Sequence, residues 1–176
     1  QGGILNIPVG STFVGDLTTK LETTFEGEVR QGNKLTNLGS TFGGHATLTA
    51  APGSGNRGVM EFTSELGAWW SRFNMPSGFT NYSTGVMKNL TGAGGDRNWT
   101  GTLTNFGTLD GTERSIDLQG RLDMLGGQTL GRVRAVGNTI VNFGNSSNAS
   151  GRIEVANARV MGTVPQGVEI WVRGSQ

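Results

Sequence analysis

The chain contains no cysteine among its 176 residues, so neither a disulfide framework nor a thiolate metal site is available to it. Charge is scarce as well. Only 15% of residues are Asp, Glu, Lys or Arg, and the 14 bases against 13 acids leave a net charge of +1. Nucleic-acid binding calls for a clustered basic face, and a balance this even excludes it as an expectation. Arg132 and Arg134 are the one local pair of bases two apart, and such a pair reads first as a solvated strand face. No apolar run approaches the ~18 residues of a membrane-spanning helix. Histidine occurs once, at His45, and tyrosine once, at Tyr82.

What is abundant is glycine, at 31 residues, together with 21 Thr, 12 Ser and 14 Asn. That composition argues against an ordinary helical enzyme and for strands joined by turns. The dominant period is two. From Asp16 to Arg30, Leu17, Thr19, Leu21, Thr23, Phe25, Gly27 and Val29 fall on one parity, and Lys20, Glu22, Glu26, Glu28 and Arg30 on the other. The segregation of charge by parity predicts a half-buried strand, bent near Gly27. Met60, Phe62 and Leu66 alternate with Glu61, Thr63 and Glu65. Ile116, Leu118, Leu122 and Met124 alternate with Asp117, Gln119, Arg121 and Asp123, and Val168, Ile170 and Val172 with Glu169, Trp171 and Arg173.

Glycine-rich turns separate these segments at 52–58, 76–78, 91–96, 109–111, 126–127 and 144–148. Short alternating strands with such turns predict an all-β fold, an antiparallel β-sandwich of jelly-roll type with about nine to eleven strands, or else a barrel. Leu35-Thr36-Asn37-Leu38-Gly39 is echoed by Leu103-Thr104-Asn105-Phe106-Gly107, but one five-residue echo lacks the fixed period of a solenoid. The expected organisation is an apolar amino-terminal β segment over residues 1–15, exchangeable between subunits, followed by a single β domain over 16–176.

No constellation for chemistry stands out. His45 has no second histidine and no cysteine to share a metal, and no Gly-x-Ser-x-Gly turn supports a catalytic triad. Glu26 with Glu28, and Asp117 with Asp123, are the carboxylate pairs that share a strand face, and both read as solvated. No catalytic residue, metal or cofactor is expected, and the chain is not read as an enzyme. Aromatic residues are the candidate contacts for a partner or a sugar: Trp70, Trp99, Trp171 and Tyr82, with Trp69 and Trp70 expected on opposite faces of one strand. Asn81, Asn89, Asn98, Asn145 and Asn148 open Asn-x-Ser/Thr sequons and are candidate glycan acceptors in an exported chain.

The chain opens at Gln1, as a mature exported chain does, and the expected location is extracellular or on the cell surface. No charged side chain precedes Asp16. The apolar residues Ile4, Leu5, Ile7, Val9, Phe13 and Val14 form a β segment that Pro8 confines to a sheet edge, suited to adding onto a neighbouring copy. The function expected is a structural subunit of an extracellular filament, pilus or surface assembly that polymerises with copies of itself by β-strand addition. The alternatives are a secreted carbohydrate-binding module with glycan partners, or a capsid-decorating protein.

Overall fold

The computed structural model describes residues 3–144 and 148–174. They form sixteen strands and, among the described residues, no helix. The first eight are β1 (Gly3–Ile7), β2 (Asp16–Thr19), β3 (Glu22–Val29), β4 (Lys34–Gly39), β5 (Ala46–Ala50), β6 (Gly55–Asn56), β7 (Val59–Ser64) and β8 (Ser71–Asn81). The rest are β9 (Val86–Asn89), β10 (Asn98–Asn105), β11 (Thr108–Met124), β12 (Gln128–Val136), β13 (Ile140–Asn142), β14 (Gly151–Ala156), β15 (Arg159–Met161) and β16 (Val168–Val172).

The all-β expectation holds, but the antiparallel sandwich does not. Every pairing between these strands is parallel. Each strand pairs with the strand one coil further along, so the chain winds as a β-solenoid. Three stacks result. One runs β2–β4–β7–β9 and onto the first part of β11 and then of β12. A second holds the nine strands β1, β3, β5, β8, β10, β11, β12, β14 and β16, about 38 Å long at ~4.8 Å per spacing. The third runs from the ends of β3, β8, β10 and β11 through β6, β13 and β15. Strands β5 and β6 both lie between β3 and β8, so these four close a ring of pairings around residues 51–54.

The core is a set of inward ladders, one apolar side chain per coil. Leu48, Phe73, Trp99, Leu118, Ala135 and Val155 stack in the second face, and Leu35, Met60, Met87 and Leu109 in the first, all buried. Phe79, Leu103, Leu122 and Val141 do the same in the third. The expected parity of β11 is observed, with Ile116, Leu118, Leu122 and Met124 all buried. The strand expected across Asp16–Arg30 is two strands instead. Leu21 takes a positive φ of 59° and turns out of the core, 43% exposed, at the corner between β2 and β3. Leu66 is likewise exposed, because β7 ends at Ser64 and the chain leaves the sheet.

A polar ladder runs inside one corner. Asn56, Asn81 and Asn105 are fully buried, one per coil. The Asn56 Nδ2 donates to Asn81 Oδ1 at 2.9 Å, and the Asn81 Nδ2 donates to Asn105 Oδ1 at 2.8 Å. Their second donor hydrogens go to backbone carbonyls of the turn, Val86 and Thr108. Asn56 and Asn81 thus each bond the amide oxygen and the turn carbonyl of the next coil, which supplies the partners a buried amide requires. The five-residue echo marks such positions. Asn105 is in this ladder, and Asn37 is buried at a different corner, where it accepts from Thr19 Oγ1 and donates to Ser71 Oγ and the Arg72 carbonyl.

Glycine is required where the corners stack. Gly101 and Gly120 pair across adjacent coils with φ of 109° and 124°, and a Cβ on Gly120 would lie 2.4 Å from the Gly101 carbonyl oxygen. A side chain there would force the two coils apart.

Candidate functional site

The sixteen strands leave two open edges. At the first, β1 pairs only with β3 and β2 only with β4. At the last, β15 pairs only with β13 and β16 only with β14. The apolar amino-terminal segment therefore packs onto its own chain, at an edge, with Pro8 just beyond β1 as its missing N–H requires.

Which backbone groups face outward follows from the parallel ladder, where alternate residues bond to opposite neighbours. The Arg173 N–H donates inward to the Val155 carbonyl, so the N–H groups of Ile170 and Val172 point to the open side. The Ala51 N–H donates to the Phe25 carbonyl, and the same alternation carried through β3 turns Ile4 and Asn6 outward on β1.

Both edges are also apolar mouths. At the first, Leu5, Ile7, Pro8, Phe13 and Leu17 line a hollow of about 220 Å³. Of the residues expected to make subunit contacts, Ile7 is in the core and Leu5 packs partly against it, whereas Ile4 (72%), Val9 (78%), Phe13 (42%) and Val14 (74%) are exposed. At the last edge, Val172 is 81% exposed although its parity is inward, because no further strand covers it. Met161 and Val164 are exposed beside it. The charges differ in sign between the two ends. Residues 3–30 carry four acids and two bases, and residues 150–174 three bases and two acids.

Apart from Trp171 on β16, the aromatic candidates sit away from the two edges, and each has at least one ring face covered. Trp99 is wholly buried between Phe62 and Phe73, so it is a core residue and not a partner contact. Trp69 and Trp70 lie in the corner loop before β8, not in a strand, and both are half-buried. Trp70 is sandwiched between the stacked ring of His45 and the Arg72 guanidinium, 4.0 Å from its centroid, which closes both faces to a sugar. Tyr82 carries Arg57 over its ring at 3.7 Å. Trp171 does take the outward parity and is 45% exposed, with Arg152 over one face at 4.1 Å and its indole N–H donated to Glu169. His45 accepts the Trp70 N–H at Nδ1, a structural bond.

Two sequon asparagines are structural. Asn81 is the middle of the buried ladder, and Asn89 is 1% exposed with Nδ2 donated to the Ser115 and Arg97 carbonyls. Neither can carry a glycan without dismantling its corner. Asn98 is half-buried on β10, Asn148 is exposed, and Asn145 lies outside the described residues. Of the carboxylate pairs, Glu28 is engaged by Arg57, Asp117 by Arg134 and Asp123 by Arg121, and Glu26 accepts from Asn6. Among the described residues no three His, Asp or Glu side chains gather as a metal site would require.

Arg97 carried no signal in the sequence pattern. Its guanidinium is 2% exposed without a carboxylate partner, and it donates to the Phe62, Asp96 and Thr91 carbonyls and to Ser64 Oγ. Burial, with the charge of Arg114 adding to it, lowers its pKa to about 10. It ties the long corner loop to the coil below.

Fold and edges together define a parallel β-solenoid with two unpaired ends of opposite charge balance. No protein-family model matches the chain, and neither a curated protein nor a solved structure matches it.

Proposed function

We propose that this protein is a structural subunit that assembles head to tail with copies of itself, the β1/β2 edge of one copy receiving the β15/β16 edge of the next, into a filament or surface assembly outside the cell. The observation that carries this reading is the pair of open edges. Both present unpaired backbone of parallel strands beside an apolar mouth, and parallel sheets can be continued across such a junction without reversing direction. The opposite charge balance of the ends favours head-to-tail over head-to-head contact. A heterologous contact of this kind does not close on itself and propagates.

The test uses two substitutions that each remove one outward donor and no inward one. Ile4→Pro blunts the first edge and Val172→Pro the last. The parent chain is expected to sediment as a concentration-dependent series and to form filaments in negative stain. Each variant alone is expected to remain monomeric, and an equimolar mixture of the two to stop at dimers, because only one competent junction remains. A parent that stays monomeric throughout the concentration range defeats the reading, and so does filament growth by both variants.

A further inference from the structure

The outward face of β12, β14 and β16 is not flat. Between β12, the turn after it and the end of β16 lies a cleft of about 580 Å³. Its walls are three guanidinium groups, Arg132, Arg134 and Arg173, and its floor is the small corner of Gly137, Asn157 and Gly174. The cleft is built around a carboxylate. Glu154 takes an outward parity on β14, yet its side chain is only 4% exposed, because Arg132 and Arg173 close over it. Arg132 donates Nε to Glu154 Oε2 at 3.0 Å, Arg173 Nε forms an ion pair with the same oxygen at 3.0 Å, and Arg173 Nη2 donates to Oε1 at 3.4 Å. Arg134 is held by Asp117, Nη1 to Oδ2 at 3.0 Å.

Two carboxylates thus hold three arginines, and the cleft keeps an excess positive charge. The bonds that hold these arginines leave donors over. Among the described residues, both Nη groups of Arg132, Nη2 of Arg134 and Nη1 of Arg173 have no protein acceptor. Guanidinium groups with such free edges match the oxygens of a carboxylate or sulfate. Because Glu154 and Asp117 already hold the side chains in place, little ordering is lost when an anion enters. The cleft is far larger than a bare oxyanion, and its lining is mixed, with Val136 and Ala156 beside the arginines, Asn157 and the glycines, which suits the polar edge and C–H face of a sugar ring.

We propose that this cleft binds an acidic saccharide, a sugar unit whose carboxylate or sulfate is received by Arg132, Arg134 and Arg173. The cleft reaches Arg173 and Gly174, just past β16 on the last edge, but its binding is read without assembly. Trp171, whose ring already carries Arg152, is not part of it.

Titration calorimetry tests the assignment with four probes: trigalacturonate, a sulfated heparin disaccharide, neutral maltotriose and inorganic phosphate. One of the two acidic sugars is expected to bind at a single site, with phosphate at least ~10-fold weaker and maltotriose silent. Ala156→Glu sets a carboxylate in the lining of the cleft without replacing an arginine, and Arg134→Gln removes one wall. Each is expected to weaken binding at least ~10-fold with the circular dichroism spectrum unchanged. Arg159→Gln makes the same charge change on exposed β15 outside the cleft and is expected to stay within ~2-fold. Absence of binding by both acidic sugars overturns the proposal. So does equal binding of phosphate, which would leave a plain anion site, and so does an equal loss from Arg159→Gln, which would mean a diffuse surface effect.

Discussion

The two halves of the solenoid build the same coil by different means. From β3 to β10 the step from one coil to the next along the second face is 25 or 26 residues, from Thr23 to Leu48 to Phe73 to Trp99. Beyond Trp99 it falls to between 17 and 20, through Leu118, Ala135, Val155 and Val172. The difference lies at one corner. The loops at 40–45, 65–70 and 90–97 stand between the first and second faces, whereas β11 rounds the same corner as one strand of 17 residues with only a register shift between Gly111 and Ile116. The interior changes with it. The wide coils enclose an aromatic cluster, with Phe62, Phe73 and Trp99 at 5.2 to 6.2 Å and Phe79 edge-on to Phe73, and they carry the asparagine ladder. The narrow coils are filled by Ile116, Leu118, Val133, Ala135, Ile153 and Val155, and the ladder position passes to Met124. A longer perimeter needs larger side chains to fill it, and its turn backbone needs amide side chains to satisfy it.

The sharpest way to break this contrast is at the ladder. Asn81→Leu preserves volume but removes the partners of Asn56 Nδ2 and Asn105 Oδ1, and it is expected to cost about 2–5 kcal/mol in urea unfolding. Met124→Leu, one coil past the ladder's end, is expected to cost under ~1.5 kcal/mol. Equal losses would mean that the amides do not distinguish the halves.

Acid should separate the halves next. Glu154 and Asp123 both belong to the narrow coils. Burial by itself pushes each carboxyl up, but Arg132 and Arg173 around Glu154, and Arg121 and Asn142 around Asp123, outweigh it and hold both below their ordinary values of 4.5 and 3.8. A depressed native pKa contributes stability that is complete above the unfolded value and is lost as pH falls through the folded one. Amide protection in β12–β16 is therefore expected to fall before that in β5–β10 once the pH drops below about 4, as hydrogen exchange at stepped pH would show. Simultaneous loss would make the solenoid one cooperative unit.

The smallest effect is expected where an aromatic ring lies outside. Trp171→Leu removes the contact with Arg152 and should cost about 0.5–1 kcal/mol in thermal unfolding. A loss as large as that from Asn81→Leu would mean that the last coil depends on its surface.

Much of the strand content was legible because alternation records which side of a strand is wet. Ile116, Leu118, Leu122 and Met124 needed nothing more. Strand direction was not legible, since alternation reads the same beside a parallel or an antiparallel neighbour. The solenoid period was hidden because the loops at 65–70 and 90–97 change its length from coil to coil. Its trace was the Asn-x-Gly echo at Asn37 and Asn105. Both are buried corner amides followed by a glycine that no side chain could replace, since a Cβ on Gly39 would meet the Trp70 carbonyl oxygen and one on Gly107 the Gly85 carbonyl oxygen. The arginine cleft was legible only as the pair Arg132 and Arg134. Arg173 and Glu154 join them through pairing across coils.

Local chemistry alone determined that this chain would be ribbons with one dry and one wet side, punctuated by glycine, with an apolar first segment at an edge. Only the tertiary structure decided that the ribbons run the same way, that Asn37, Asn81, Asn89 and Asn105 are buried supports while Asn148 is exposed, and that Val172 is exposed while Trp99 is not. Burial is a property of what lies on the next coil, and the next coil is 17 to 27 residues away. No local pattern reports on a neighbour brought close only by winding.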